Sequence, residues 1–181
     1  MTIVLRPFTR DDIPRLVAWV NAGGAEGFMQ WAGTSFEYPL TEAQVERHLA
    51  EAEGPQAARR VFAAADTASG DVVGHVEFSH IDYANASAQI SRLLVGDPAA
   101  RGKGLGAEIV TRLLEYGFDE MHLHRVTIYV LDFVVAAIRT YEGLGFRTEG
   151  HLVEARRYGD SYWNVYYMAL LKEEWEAGRQ L

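Results

Sequence analysis

Residues Arg101-Gly102-Lys103-Gly104-Leu105-Gly106 stand between a strand-like run that ends at Val95 and a run of helical spacing that begins at Leu105. This segment constrains the fold most, because a glycine-rich turn from a strand into a helix exposes the N–H groups of the first helical turn, where the dipole also favours negative charge. Three residues without β-carbons let a ligand's oxygens approach that backbone closely. A diphosphate fits such a place. The segment departs from two familiar phosphate loops. Ile109 stands where a dinucleotide fingerprint needs its third glycine, and Gly104 stands where a Walker loop needs Ser or Thr after Gly-Lys.

Hydrophobic periodicity on either side predicts a mixed α/β layer structure. Residues 2 to 8 alternate as a first strand, and Thr9 with Asp12 reads as a capping box opening a helix that buries Ile13, Leu16, Val17 and Val20. Gly23, Gly24 and Gly27 then predict a loop rich in aromatics up to Pro39, and Thr41 with Gln44 predicts a second capping box and a helix ending near Gly54-Pro55. Three β-like runs follow, Val61 to Ala65, Val72 to Ile81 and Ala88 to Val95, as an antiparallel meander. In the third, apolar positions fall on even numbers at Ala88 and Ile90 and on odd numbers at Leu93 and Val95. A period of two cannot hold both, so a bulge is expected between Ser91 and Val95. A helix through Leu105, Ile109, Leu113 and Phe118, a central strand Arg125 to Leu131, a helix from about Ala136 to Leu144 and a closing pair of strands complete the pattern.

The 181 residues, 49% of them hydrophobic, are read as one domain spanning residues 1–181. The chain has no cysteine, which excludes disulfides and thiolate zinc sites, and no apolar run approaches the ~18 residues of a membrane span. A cytoplasmic chain without leader or membrane partner is the expectation. The net charge of -8 argues against nucleic acid as partner. It favours a cationic substrate, and equally describes an ordinary soluble surface. His122 and His124 share one side of a strand but lack a third ligand at a supporting spacing, so no metal is expected.

The chain resembles the GNAT superfamily of N-acetyltransferases. The signature Arg/Gln-x-x-Gly-x-Gly/Ala is met by Arg101, Gly104 and Gly106, and a later helix carries Tyr141-Glu142-Gly143-Leu144-Gly145-Phe146. Leu123-His124-Arg125-Val126 and the Gly159-Asp160 turn look most like the branch of ribosomal-protein alanine and spermidine acetyltransferases. The resemblance implies a GNAT fold, a mixed and mostly antiparallel sheet splayed at the cofactor site with helices on both faces. It implies acetyl-CoA as co-substrate, with its pyrophosphate on Arg101, Gly102, Lys103, Gly104, Leu105 and Gly106 and its pantetheine along Leu93, Leu94 and Val95. It implies direct attack by a primary amine, a backbone N–H near Leu94 polarising the thioester, and Tyr141 as proton donor to the departing thiolate.

Glu77 is the candidate base, against the alternative of an ordinary strand carboxylate, since Gln89 stands where many relatives place a glutamate. Val134 replaces a family asparagine that bonds the cofactor, a loss of about 1 kcal/mol. Phe28, Trp31, Tyr158, Tyr162 and Trp163 are candidates for an acceptor pocket or for core. A peptide α-amine is favoured as acceptor over a polyamine, because the α-amine is ~10 to 20% neutral at pH 7 and needs little help from a base. The alternative to an enzyme is a module that binds acetyl-CoA without turning it over, or a structural domain whose turn is only a helix start. A homodimer is admitted as the assembly.

Overall fold

The computed structural model describes residues 2–179. In chain order these form β1 (Ile3–Pro7), α1 (Ile13–Ala22), α2 (Gly24–Ala32), α3 (Glu42–Ala50), β2 (Arg60–Asp66), β3 (Val72–Asp82), β4 (Ser87–Val95), α4 (Leu105–Glu115), β5 (Arg125–Leu131), α5 (Val135–Gly143), β6 (Arg147–Tyr158), β7 (Ser161–Leu171) and α6 (Lys172–Gly178). The strands make one sheet in the order β1-β2-β3-β4-β5-β7-β6. Neighbours run antiparallel except β4 and β5, which are parallel because α4 crosses between them.

Alternation along β3 sorts the two faces. Val76 and Phe78 join the main core with Val110, Leu113 and Leu114 of α4, each fully buried. Burying such a side chain contributes about 1.5–3 kcal/mol, so this stripe of α4 alone fixes which way the helix faces. His75, Glu77 and Ser79 point to the opposite face, where Glu77 meets His48 of α3. There α1, α2 and α3 pack a second core around Leu16, Phe28 and Val45, with Leu94 of β4 against it.

Three elements differ from the sequence expectation, one of them α3, which stops at Ala50 short of the expected Gly54-Pro55. Residues 24 to 32 form α2 where a loop was expected, because Phe28 and Ala32 are anchored in that second core, and this burial outweighs the helix penalty of Gly24 and Gly27. At Thr41 the hydroxyl accepts from the Gln44 N–H at 3.4 Å, but the Gln44 side chain turns away to the Glu37 and Pro39 backbone, so the cap is one-sided. At Thr9 the N–H and the hydroxyl both donate to the Asp12 carboxylate, at 2.8 and 3.1 Å, while the Asp12 N–H donates to the Thr9 carbonyl, so this cap is one-sided as well. A last helix, α6, follows β7 without a break and seats Trp175 against the main core. No helix among the described residues is long and apolar enough to cross a membrane.

Candidate active site

The parallel ladder between β4 and β5 is short. It runs from Ser87 opposite Arg125 to Ile90 opposite Ile128 and stops, and beyond it Ser91–Val95 and Tyr129–Leu131 diverge. The cause lies on the other edge of β4. Against β3, Leu94 pairs with His75, but Ser91 pairs with Glu77, so β4 carries one extra residue between them. This is the bulge that the change of apolar parity predicted. Arg92 absorbs it at φ +53°, a left-handed conformation that costs a non-glycine residue about 1–2 kcal/mol.

Several contacts hold the bulge in that shape. The Arg92 carbonyl accepts from the Trp31 indole N–H of α2 at 3.0 Å and faces His75 Nδ1 at 3.0 Å. Its guanidinium pairs with Glu77 and lies 5.1 Å over the ring of Phe36. Leu93 and Val95 turn toward α4 and the main core, which leaves the backbone of this stretch facing the gap.

The gap opens into a cavity of about 550 Å³. Its lining includes Ala137 and Tyr141 of α5 with Val134 just before it, and Trp31, Gly33, Arg156 and Trp163. Tyr141 is buried, and burial pushes its phenol up to about 12. Its ring packs edge-on against Phe146 at 5.9 Å, which fixes the hydroxyl's direction. Trp31 thus lines the cavity as one of the predicted aromatics. Phe28 lies beneath in the core, Tyr162 is 53% exposed, and Tyr158 stacks at 4.5 Å on Trp163, the aromatic that reaches the cavity from the hairpin.

The glycine-rich turn lies beyond the end of β4, tied to it by Arg101 Nε donating to the Val95 carbonyl at 3.1 Å. Gly102 and Gly104 have φ of +73° and +82°, and a β-carbon at either would meet nothing within 4 Å. Both glycines therefore serve backbone conformation and an open face, with no packing demand. Gly104 caps α4, whose first bond is Glu108 N–H to the Gly104 carbonyl at 3.1 Å, so the N–H groups of Leu105, Gly106 and Ala107 have no partner within the helix. Leu105 is buried and anchors the turn, while Lys103 is exposed beside it. An open cradle of amide donors at a helix start suits the diphosphate of a CoA thioester, and the gap between β4 and β5 suits an extended pantetheine. Val134 caps α5 without a side-chain hydrogen bond.

Gly104→Val should weaken acetyl-CoA binding by about 2 kcal/mol, roughly 30-fold in Kd, through backbone strain and a side chain on the open face. Calorimetric titration measures this, with Gly104→Ala isolating the strain. An unchanged Kd in the valine variant would move the cofactor site elsewhere.

Glu77 faces neither solvent nor the open cleft, as the sequence had expected, but is completely buried. His48 Nε2 lies 2.7 Å from one oxygen, and Arg92 and Arg59 stand at the other. Burial pushes this carboxyl up, but the His48 hydrogen bond and the Arg92 charge outweigh it and hold it below the usual carboxylate range. A carboxylate so paired is a weak base and a strong anchor. His75 is held neutral by burial in spite of nearby Glu77. One register further along, Ser79 and Ser91 hydroxyls meet at 2.6 Å, Gln89 Nε2 donates to Ser91 at 3.1 Å, and His80 Nδ1 lies 3.1 Å from Ser79. All four residues line the cavity. Sequence reasoning did not single out Arg92, His75, Ser79, Ser91, His80 or Arg156 as functional. The parity break located Arg92, but its partners come from α2, the loop after it and β3, and no local pattern connects them.

Residues 2–147 match the family model described as acetyltransferase (GNAT) domain. The chain is 28% identical over 182 residues to the spermidine N(1)-acetyltransferase of Escherichia coli (strain K12), covering 97% of this chain and 89% of that one. It is 32% identical over 118 residues to the spermidine N(1)-acetyltransferase of Vibrio cholerae, covering 65% and 66%, and 36% identical over 81 residues to the uncharacterized N-acetyltransferase YnaD of Bacillus subtilis, covering 45% and 48%. The matched stretch thus spans about half to two thirds of the length of these last two relatives. Among solved structures, spermidine N-acetyltransferase from Vibrio cholerae in complex with CoA and spermine aligns with a TM-score of 0.83 at 27% identity, covering 97% of this chain and 98% of that one. A dodecameric structure of the Vibrio cholerae enzyme aligns with a TM-score of 0.76 at 25% identity, covering 96% of each chain.

Proposed function

The chain belongs to the GNAT acetyltransferase family, and from that premise we propose that it transfers an acetyl group from acetyl-CoA to a primary amine by direct attack. The observation that supports this reading is the gap between Ser91–Val95 and Tyr129–Leu131, whose cavity is lined both by Arg101 of the glycine-rich turn and by the buried ring of Tyr141. The thioester supplies the activated acyl carbon. The backbone of the bulged strand offers its N–H groups near Leu94 to the carbonyl oxygen, fixed there by the contacts on Arg92. The amine nitrogen bonds to the acyl carbon, the carbon–sulfur bond breaks, and Tyr141 gives its proton to the leaving sulfur. The proton lost by the amine leaves by way of Ser91, Ser79 and His80 or by water, while Glu77 acts as a positioning residue that anchors Arg92.

Two acceptors follow from this reading. The named relatives make spermidine the first to assay, and Gln89, which cannot take a proton, makes a peptide α-amine the second. An acceptor screen that follows CoA release, run side by side on spermidine and an alanine-terminated peptide from pH 6.5 to 9.5, tests it. A second reading, a sensor that binds acetyl-CoA without turnover, is motivated by Gln89 and by Val134 in place of a cofactor-bonding asparagine. Intact binding with no release on any amine would favour it. Self-association is expected by analogy with the Vibrio enzyme, with a homodimer as the smallest assembly, and light scattering on the intact chain measures it.

A further inference from the structure

The cavity's charge is opposite in sign to the protein's. Against a net charge of -8, the charged side chains that line it are Arg59, Arg92, Arg101 and Arg156, and no Asp or Glu lines it among the described residues. Two of the four are paired with a carboxylate, and a third is tied through one nitrogen to a backbone carbonyl. Arg92 pairs with Glu77, Arg59 with Glu51 at 2.7 Å, and Arg101 is tied to Val95 at the phosphate turn. Arg156 is different. It projects from β6, half-buried, and its guanidinium makes no hydrogen bond or ion pair among the described residues. It reaches across to the end of α2, 4.0 Å from where a β-carbon on Gly33 would stand. The one acidic residue of α2, Glu26, sits outside the cavity lining, within 3.4 Å of Gln30.

A partly desolvated guanidinium without a partner is a receptor for an oxyanion, since its planar donors match a carboxylate or phosphate edge in two parallel hydrogen bonds. It repels an ammonium for the same reason. We propose that the acceptor is a primary amine that also carries an anionic group, a carboxylate or a phosphate, received by Arg156 while the amine points toward Tyr141. This deepens the amine-acetylation reading and rests on it. It sets this chain apart from its relatives named for spermidine, a molecule with cationic amines and no anion.

The test compares short amines of similar length that differ at the far end, 5-aminopentanoate, 3-aminopropyl phosphate and pentane-1,5-diamine, together with the longer spermidine and with alanyl-glutamate as the peptide arm. The expected result is that kcat/KM for an anion-bearing amine exceeds that for the diamine and spermidine by about tenfold or more, as one charge-assisted bidentate contact supplies. The carboxylate, phosphate and dipeptide arms identify the source of the anion. In Arg156→Gln the preference should collapse to about threefold or less, in Arg156→Lys part of it should remain, and acetyl-CoA Kd should stay unaltered in both. A higher kcat/KM for the diamine or spermidine, or a preference that survives Arg156→Gln, would overturn the proposal alone and leave amine acetylation standing. A raised acetyl-CoA Kd in Arg156→Gln would also overturn it, by assigning the guanidinium to the cofactor. Absence of CoA release with every amine, the dipeptide included, would overturn the amine reading and this proposal with it.

Discussion

Tyr141→Phe is expected to lower kcat by about 10²- to 10³-fold while leaving acetyl-CoA Kd within about twofold, the pattern of a group that acts on the departing sulfur and hardly on the bound ground state. The substitution removes one oxygen and keeps the ring, so the edge contact with Phe146 at 5.9 Å survives and the variant should fold. Burial raises the phenol to about 12, further above a thiol of about 8.5 than an unperturbed tyrosine would be. The wider gap makes Tyr141 a weaker acid than the sequence alone suggested, and a group that stays protonated at every working pH. Its proton is therefore present whenever the thiolate forms. No alkaline loss of activity below about pH 11 should come from this residue, and the rise of rate with pH should follow deprotonation of the acceptor amine. Initial-rate kinetics with calorimetry on the same variant checks both parts, and a wild-type kcat would remove Tyr141 from the mechanism.

Glu77→Ala should cost about 3–5 kcal/mol of stability, because it leaves Arg92 in a buried place without its counter-charge. Glu77→Gln, which keeps hydrogen-bonding capacity, should cost less. The pH dependence has a definite sign. A carboxyl whose folded pKa is lowered contributes stability above its unfolded value of about 4.3 and loses that contribution as pH falls through the folded value. His75, held neutral by burial beside Glu77, His48 and Arg92, adds to the same trend, since below about pH 6.5 the unfolded chain takes up its proton first. Stability should thus decline on acidification from about pH 6.5, and the part below about pH 4.5 should be missing in Glu77→Ala. Urea denaturation across pH reads both. A loss under about 1 kcal/mol in the alanine variant would show that the Arg92 guanidinium finds other partners or water.

Where function is carried by backbone shape and local spacing, the sequence was legible. Gly104 signals its left-handed conformation by being glycine in a strand-to-helix turn, and the slip from Ile90 to Leu93 signals the bulge by breaking a period of two. Both are read within about ten residues of chain. Glu77 shows the opposite case. Its place in a strand was readable, but its environment depends on His48 and Arg59, 29 and 18 positions before it, and on Arg92, 15 after it, so a cleft base and a buried anchor looked alike. The α2 segment failed for a related reason, since its glycines speak locally for a loop while Phe28 is held by helices it meets only after folding. Arg156 lies on an edge strand rich in exposed residues, and only the cavity singles it out.

The central claim is that this cleft acetylates amines, and the most direct test is amine-dependent release of CoA from acetyl-CoA by the intact chain, with the N-acetyl product identified by mass. Release is expected to require both an amine and the protein, to equal the acetylated product in amount, and to fall about 10²- to 10³-fold in Tyr141→Phe. Tight acetyl-CoA binding with no release on any amine, or release to water alone that is indifferent to Tyr141, would contradict it.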